Sequence, residues 1–180
     1  MQELSMNILD IAENSIKAGA QLISILLEYI DDEKLILVID DDGSGMTEEV
    51  ASKVTDPFYT SRTTRKVGLG IPFIKMAAEL TGGNLVINSE LGKGTTVKTL
   101  FFYNSIDMMP LGNIGETIAV LLSGNPEIEF VYTIKRKDKE FVLDSREVKQ
   151  LLGDDVAVSN AEVAIFIRDF TNEHSEHILL

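Results

Sequence analysis

Apolar residues recur along the chain with two different periods, and the changes between them predict an ordered series of helices and strands. Between residues 2 and 18 the apolar positions lie three or four apart, which predicts a helix that ends near Gly19. Residues 21–30 and 34–40 are β-branched and aliphatic runs on either side of a polar turn, which predicts a hairpin. The chain therefore begins with a helix followed by two antiparallel strands.

A second helix and a second hairpin follow in the same order. Pro72 fits the first turn of a helix that starts near Ile71 and ends at the sequence TGG, because a missing N–H costs little at a helix start. Residues 84–89 and 95–102 predict two more strands, joined by a glycine-containing turn. The order α-β-β-α-β-β predicts an α/β two-layer sandwich with the helices packed on one face of the sheet.

The pattern changes after Tyr103, where a short stretch contains Pro, Gly and two Asn. Beyond it the periodicity predicts a helix, a hairpin and two further helices, at 114–123, 129–144, from Ser145, and at 161–169. The polar tail after the last helix is expected to fray. We therefore divide the chain into a first domain at residues 1–103 and a small α/β extension at 104–180, which packs on that domain or serves as a partner surface.

Composition and charge narrow the classes of protein. The 180 residues are 44% hydrophobic, which is enough to bury a core. The net charge of -13 argues against a nucleic-acid-binding surface, which needs many Lys and Arg contacts to phosphate. The chain has no cysteine, no signal-like N-terminus and no apolar run of membrane-spanning length, so a cytoplasmic protein without a membrane partner is expected.

Polar residues form a stripe along the first predicted helix. Asn7, Asp10, Asn14 and Lys17 are three or four residues apart and are expected to share one face, opposite the apolar face. Such a stripe is typical of a solvated face. The alternative is a binding site, in which the amide, carboxylate and ammonium groups of the stripe converge on a metal-bound polyphosphate.

Two glycine-containing stretches add to this stripe. Residues 39–46, IDDDGSGM, end a predicted strand with carboxylates and closely spaced glycines, which let a flat ligand approach the backbone. Residues 56–73 carry Arg62, Arg65 and Lys66 before a helix start, where free N–H groups and the helix dipole favour an anion. Taken alone, the first stretch has an ordinary acidic turn as its alternative interpretation, and the second has a common glycine pair before a helix. With three cations nearby, phosphate is the natural anion.

Five stretches in this order resemble a known superfamily. DIAENSIKAGA, DDGSGM, DPFYTSR, GLGI and GKGTTV are similar in sequence and spacing to the motifs of the GHKL superfamily, which includes gyrase, the heat-shock chaperone, histidine kinases and the mismatch-repair MutL proteins. The resemblance covers residues 3–102. It implies the Bergerat ATP-binding fold, with a mixed sheet, helices on one face, and Mg-ATP held between the first helix and a lid segment.

The resemblance also assigns roles to individual residues. It implies that Asn14 is the Mg²⁺ ligand, that Lys17 contacts phosphate, and that Asp41 accepts a hydrogen bond from the adenine amine while Thr95 shares a water with it. Phe58 matches the aromatic anchor of the lid. The remaining implied nucleotide contacts are base-pocket positions and phosphate-facing positions: Gly43, Gly45, Met46, Arg62, Gly68, Leu69, Gly70 and Ile71.

The residue type at position 10 distinguishes how members of the superfamily use bound ATP. Members that hydrolyse ATP or phosphorylate serine usually carry Glu four residues before the metal-binding Asn, whereas histidine kinases usually carry Asn or His there. Asp10 is one methylene shorter than Glu but is still a carboxylate, so it is the candidate catalytic general base. Glu13, next to Asn14, is expected to lie on the flank of the helix.

Three functions remain open at this point. The first is an ATP-dependent kinase that phosphorylates a separate protein in bacterial-type signalling, because the only histidines, His174 and His177, lie near the C-terminus. The second is a slow ATPase whose lid closure drives dimerisation or partner release. The third is a non-catalytic nucleotide sensor. The expected partners are ATP and a separate protein substrate or regulator, and a homodimer stays open.

Overall fold

The computed structural model describes residues 3–56, 70–153 and 156–180, and within them the chain forms six helices and six strands. The helices are α1 Leu4–Lys17, α2 Glu48–Lys53, α3 Gly70–Leu80, α4 Ile114–Gly124, α5 Ser145–Leu152 and α6 Ala161–Leu179. The strands are β1 Leu22–Tyr29, β2 Lys34–Asp41, β3 Asn84–Glu90, β4 Gly94–Phe102, β5 Glu129–Arg136 and β6 Lys139–Asp144. The predicted hairpins and the two helices of the first hundred residues are confirmed.

The six strands form one mixed sheet in the order β3-β4-β2-β1-β5-β6. Strand β1 pairs in parallel with β5, and every other neighbouring pair is antiparallel. Helix α1 packs against α3 and α4, and α4 packs against α6, so these four helices form one layer over the sheet. The predicted α/β sandwich with helices on one face is therefore confirmed.

The core lies between the sheet and this helix layer. Alternate residues of β1, β2 and β5 are buried, as expected for strands with one covered face. The buried set includes Ile25 and Ile39 from the first hairpin together with Phe130 and Ile134 from β5. Residues on both sides of position 104 thus share one sheet and one core, while the division into two domains stays a prediction.

The N-terminus of α1 is tied to the connector that follows β4. The backbone N–H groups of Leu4 and Ser5 donate to the carbonyl oxygens of Pro110 and Leu111, each at 2.9 Å. The residue before the helix, Glu3, makes no side-chain cap of its own. The connector therefore satisfies two of the N–H groups that a helix start leaves unpaired, and it fixes the helix that carries the candidate site.

The predicted fraying of the tail is wrong, because α6 continues to Leu179. Polar residues occupy core-facing positions in this continuation: Thr171 and Ser175 are buried, and the hydroxyl groups of Ser175 and Tyr132 lie 3.1 Å apart. Ile178 has only 5% of its surface exposed. The apolar periodicity predicted the helix only as far as residue 169 because hydroxyl side chains replace apolar ones at the next two core positions.

No helix in the described parts of the chain combines the length and the apolar character needed to cross a bilayer.

Candidate functional site

Helix α1 presents three of the predicted site residues to one side. Asp10 and Lys17 are exposed and Asn14 is half-buried. Neither the Asp10 carboxylate nor the Asn14 amide forms a hydrogen bond with a described residue. An unpartnered carboxylate and an unpartnered amide one helical turn apart are available to a ligand.

Asn7 does not belong to the solvated stripe. It is 1% exposed, and its amide nitrogen lies 3.1 Å from the carbonyl of Glu3 and 3.3 Å from the sulfur of Met109. The connector covers this part of the helix, which the sequence pattern did not reveal. The exposed part of the predicted stripe therefore starts at Asp10.

Lys17, predicted to contact phosphate, is paired with a neighbour on its own helix. Its Nζ lies 2.8 Å from Oε2 of Glu13, and both side chains are about half exposed. Exposed pairs of this kind contribute only about 0.2–1 kcal/mol, so the ammonium can exchange this partner for a phosphate. Glu13 lies on the exposed flank of the helix, as its position beside Asn14 indicated.

The start of α3 meets α1 at Asp10. A Cβ added at Gly70 would lie 2.8 Å from the Cβ of Asp10, so only glycine lets the two helices approach this closely. The first turn of α3 contains no acidic residue. The N–H groups that a helix start leaves without an intrahelical partner, and the positive end of the helix dipole, lie beside the face of α1 that carries Asp10, in an arrangement that suits an anion. Ile71 is only 6% exposed, so its backbone rather than its side chain would contact a ligand.

The surroundings of Asp10 favour its protonated form. Although the side chain is exposed, neighbouring protein atoms exclude enough water to raise the pKa of the carboxyl above its ordinary value. The charge of Glu13 raises this pKa further, and the charge of Lys17 lowers it. A carboxyl group with a raised pKa is a stronger base once it is ionised.

Asp41 ends strand β2 and is 9% exposed. Its carboxylate accepts a hydrogen bond from Oγ of Ser15 at 2.6 Å on one oxygen and from the N–H of Gly43 at 2.9 Å on the other. The sequence interpretation missed Ser15. Its signal was a polar residue at a core-facing position of α1, directly after Asn14, since such a residue needs a buried partner.

The loop after Asp41 packs between α1 and the β3–β4 hairpin. A Cβ at Gly43 would lie 3.0 Å from that of Ala18, and the N–H of Ser44 donates to the carbonyl of Ala18 at 2.9 Å. Gly45 has φ +63°, and a Cβ there would lie 2.0 Å from the carbonyl oxygen of Glu90. A side chain at Gly45 would therefore collide with backbone and one at Gly43 with the side chains of Asp41 and Ala18, so this loop forms a closely packed wall of the site.

Thr95 lies opposite Asp41 across β4 and β2. Its hydroxyl is 2.8 Å from that of Ser89, which also accepts a hydrogen bond from the N–H of Met46 at 2.8 Å. Asp41, Met46 and Thr95 thus lie together at one end of the sheet, while their contact with a nucleotide stays a prediction. Ser89 was not predicted, because a serine near the end of a strand carries no distinctive signal.

A cavity of about 640 Å³ opens at this end of the sheet. Asp41 and Thr95 line it together with Asp42, Glu48, Glu90 and, from the opposite face of β2, Asp40. Lys93, the cation among the described residues of this lining, is paired with Glu90 at 2.7 Å. These acidic residues disfavour a polyphosphate in the cavity, whereas the meeting point of α1 and α3 suits an anion.

The structure describes part of the predicted set. Phe58, Arg62, Gly68 and Leu69 lie outside the described residues, as do Arg65 and Lys66. Within the described ranges, no group of three or more His, Cys, Asp or Glu side chains could hold a metal ion.

Removing the Ser15 hydroxyl should destabilise the protein. Ser15→Ala leaves one oxygen of a buried carboxylate without its donor, and we expect the free energy of unfolding to fall by about 1.5–3 kcal/mol. Urea denaturation followed by circular dichroism measures this change. The control is Ser123→Ala, whose hydroxyl donates only to the carbonyl of Ala119 in its own helix, with an expected loss under about 0.5 kcal/mol. Equal losses in the two variants would contradict a special role for Ser15.

Comparison with known proteins places these features in context. Residues 2–104 match the family model described as histidine kinase-, DNA gyrase B-, and HSP90-like ATPase. The sensor protein SrrB of Staphylococcus aureus (strain NCTC 8325 / PS 47) is 39% identical over 101 residues, which are 53% of this chain and 17% of that protein. The chain thus matches only a small part of that relative's length.

One solved structure shares the fold. The crystal structure of the N-terminal domain of a DNA repair protein aligns with a TM-score of 0.56 at 17% identity, covering 80% of this chain and 53% of that chain. That share exceeds what residues 2–104 alone could supply, so the similarity in fold extends into the C-terminal part. The mycobacterial sensor histidine kinase MprB aligns with a TM-score of 0.44 at 24% identity, over 53% of this chain and 67% of that one.

Proposed function

The chain belongs to the family of histidine kinase-, DNA gyrase B- and HSP90-like ATPases, and from this we propose that it binds Mg-ATP and transfers the γ-phosphate to a separate protein. The observation that carries the proposal is Asp10. Its carboxylate has a raised pKa, makes no hydrogen bond with a described residue, and lies one turn from Asn14 beside the start of α3. This is a base next to an anion-binding place.

The adenine end of the site would be formed at the sheet. Asp41 already receives hydrogen bonds from Ser15 and Gly43, so its orientation is fixed before a ligand arrives. Its remaining lone pairs would accept a hydrogen bond from the adenine amine. The loop at Gly43 and Gly45 would contact the face or edge of the base through its backbone.

The phosphate end would lie between α1 and α3. The N–H groups at Gly70 would bind phosphate oxygens, and Lys17 would leave Glu13 to do the same. The Asn14 amide oxygen suits Mg²⁺, which prefers oxygen ligands and keeps several from water and substrate phosphates. Bound Mg²⁺ would neutralise charge on the phosphates during transfer.

Asp10 would act on the acceptor. For a hydroxyl acceptor, Asp10 takes the proton while the oxygen attacks the γ-phosphorus, the bond to the bridging oxygen of the β-phosphate breaks, and ADP leaves. For an imidazole acceptor no such base is needed. Water in place of the protein hydroxyl gives the second candidate function, a slow ATPase, which the same free carboxylate favours.

The fate of the γ-phosphate tests the proposal. The purified chain is first used to capture proteins that bind it with a non-hydrolysable ATP analogue, and these proteins are then added back with ATP labelled at the γ position. Labelled protein supports the kinase. Release of free phosphate alone supports the slow ATPase, and tight binding with neither product supports a nucleotide sensor that transfers nothing.

A further inference from the structure

The sheet register places a polar row beside the candidate base pocket. Ser89 on β3, Thr95 on β4 and Asp41 on β2 are direct cross-strand neighbours, so they share one face of the sheet. Ser15 on α1 bonds to Asp41 from that same side. The next row inward on this face, which includes Val97 and Ile39, is apolar. The polar row is therefore the rim of the core and the wall of the pocket.

The hydroxyl of Ser89 has three polar neighbours. The N–H of Met46 lies at 2.8 Å and can only donate, whereas the carbonyl of Gly94 lies at 3.0 Å and can only accept. The third neighbour, the hydroxyl of Thr95 at 2.8 Å, can do either. A hydroxyl has one proton and two lone pairs. All three hydrogen bonds exist together only if Ser89 gives its proton to Gly94 and accepts the proton of Thr95.

Because the Thr95 hydroxyl donates its proton to Ser89, only its lone pairs remain, and it can only accept a further hydrogen bond. Asp41 is likewise an acceptor, since its two protein partners, Ser15 and Gly43, both donate to it. The pocket wall thus presents only acceptors at these two residues. An amino group at carbon 6 of a purine supplies two donor hydrogens, whereas an oxygen at that carbon is itself an acceptor. An acceptor-only wall attracts the first and repels the second.

We propose that Ser89 is a positioning residue that determines base specificity: by holding the proton of Thr95 it makes the pocket select 6-aminopurine over 6-oxopurine nucleotides. The inference rests on the proposed nucleotide-binding function. Ser89 also anchors the loop through Met46, so a purely structural role would weaken binding of both classes of nucleotide equally. The ratio of two affinities separates these roles.

The test compares ATP with inosine triphosphate, which differs by a 6-oxo group, on the full chain with Mg²⁺ by calorimetry. Wild type should prefer ATP. Ser89→Ala frees the Thr95 proton to point into the pocket, and we expect the preference to fall about three- to ten-fold, the effect of one hydrogen bond. Ser89→Thr keeps the hydroxyl and should keep the preference. A Ser89→Ala variant that loses affinity for both nucleotides by the same factor overturns the inference.

Combining the Ser89 variant with a Thr95 variant shows whether Ser89 acts through Thr95. Thr95→Val alone should reduce the preference, and adding Ser89→Ala to it should change the ratio no further, because the proton in question is gone. A further fall in the ratio would overturn the inference. If Ser89→Ala does not fold, Thr95→Val alone still tests the inference, because an unchanged ratio in that variant would overturn it. If wild type binds neither nucleotide, the proposed function itself fails, whereas ATP binding with an unchanged ratio in both variants overturns the inference alone.

Discussion

Replacing Asp10 with asparagine is expected to lower the rate of γ-phosphate transfer to a hydroxyl or to water by about 10²–10⁴-fold, the usual contribution of a general base. The substitution keeps the size of the side chain, so the contact with Gly70 is preserved. Affinity for ATP should hold or improve, because a negative charge near the phosphates is removed. Single-turnover transfer from labelled ATP, with calorimetry for binding, separates the two effects.

Glu13→Gln is the matched control for Asp10. Glu13 is the next carboxylate on the same helix but is paired with Lys17 on the flank. Its replacement removes a charge that raises the pKa of Asp10, so the rate should change little at a pH where Asp10 is fully ionised. The base must be ionised to act, and the pKa of Asp10 is raised. On acidification the wild-type chain should therefore lose activity at a higher pH than it would with an aspartate of ordinary pKa. An Asp10→Asn variant that phosphorylates its partner at the wild-type rate would eliminate the general-base role and favour histidine as acceptor.

Replacing Asp41 with asparagine should weaken the binding of ATP and of adenosine by the same factor, about 10- to 150-fold, because hydrogen bonds to a charged group contribute about 1.5–3 kcal/mol. The N–H of Gly43 can only donate, so the new amide must turn its oxygen toward Gly43 and its NH₂ toward Ser15. A donor then stands where the adenine amine needs an acceptor. Calorimetric titration with each ligand measures both losses.

Asp40→Asn is the control for Asp41. Asp40 precedes it on β2, is exposed, and bonds to Thr96. Because successive strand residues point to opposite faces, its carboxylate lies on the other side of the sheet from Ser15, and its replacement should leave ATP affinity nearly unchanged. If the two variants lost affinity alike, the effect would come from net charge, and the assignment of Asp41 to the base would be wrong.

Local patterns predicted most of the first hundred residues. The β-branched runs and the glycine turns gave both hairpins, and the helical spacing gave α1 and α3, because each signal acts over a few neighbouring residues. The short helix α2 was not predicted, since its six residues are too few to show a period. It begins after Thr47, whose hydroxyl accepts a hydrogen bond from the N–H of Val50.

Long-range contacts account for what the sequence pattern could not reveal. The parallel pairing of β1 with β5 joins segments that are far apart along the chain, and no local pattern specifies it. The burial of Asn7 depends on Met109 in the connector. The roles of Ser15 and Ser89 likewise depend on partners on other elements, Asp41 and Met46. The sequence motifs named the candidate site residues, whereas the residues that hold them in place were not predicted.

Binding of ATP to the full chain, measured by calorimetry with and without Mg²⁺, tests the central claim most directly. We predict one site per chain whose affinity for ATP increases when Mg²⁺ is added, and we predict that Asn14→Ala abolishes this increase, because the half-buried amide of Asn14 is the proposed metal ligand. The folded state of the variant is checked by circular dichroism. ATP binding that is absent from wild type, or that keeps its full Mg²⁺ dependence in a folded Asn14→Ala variant, would contradict the account.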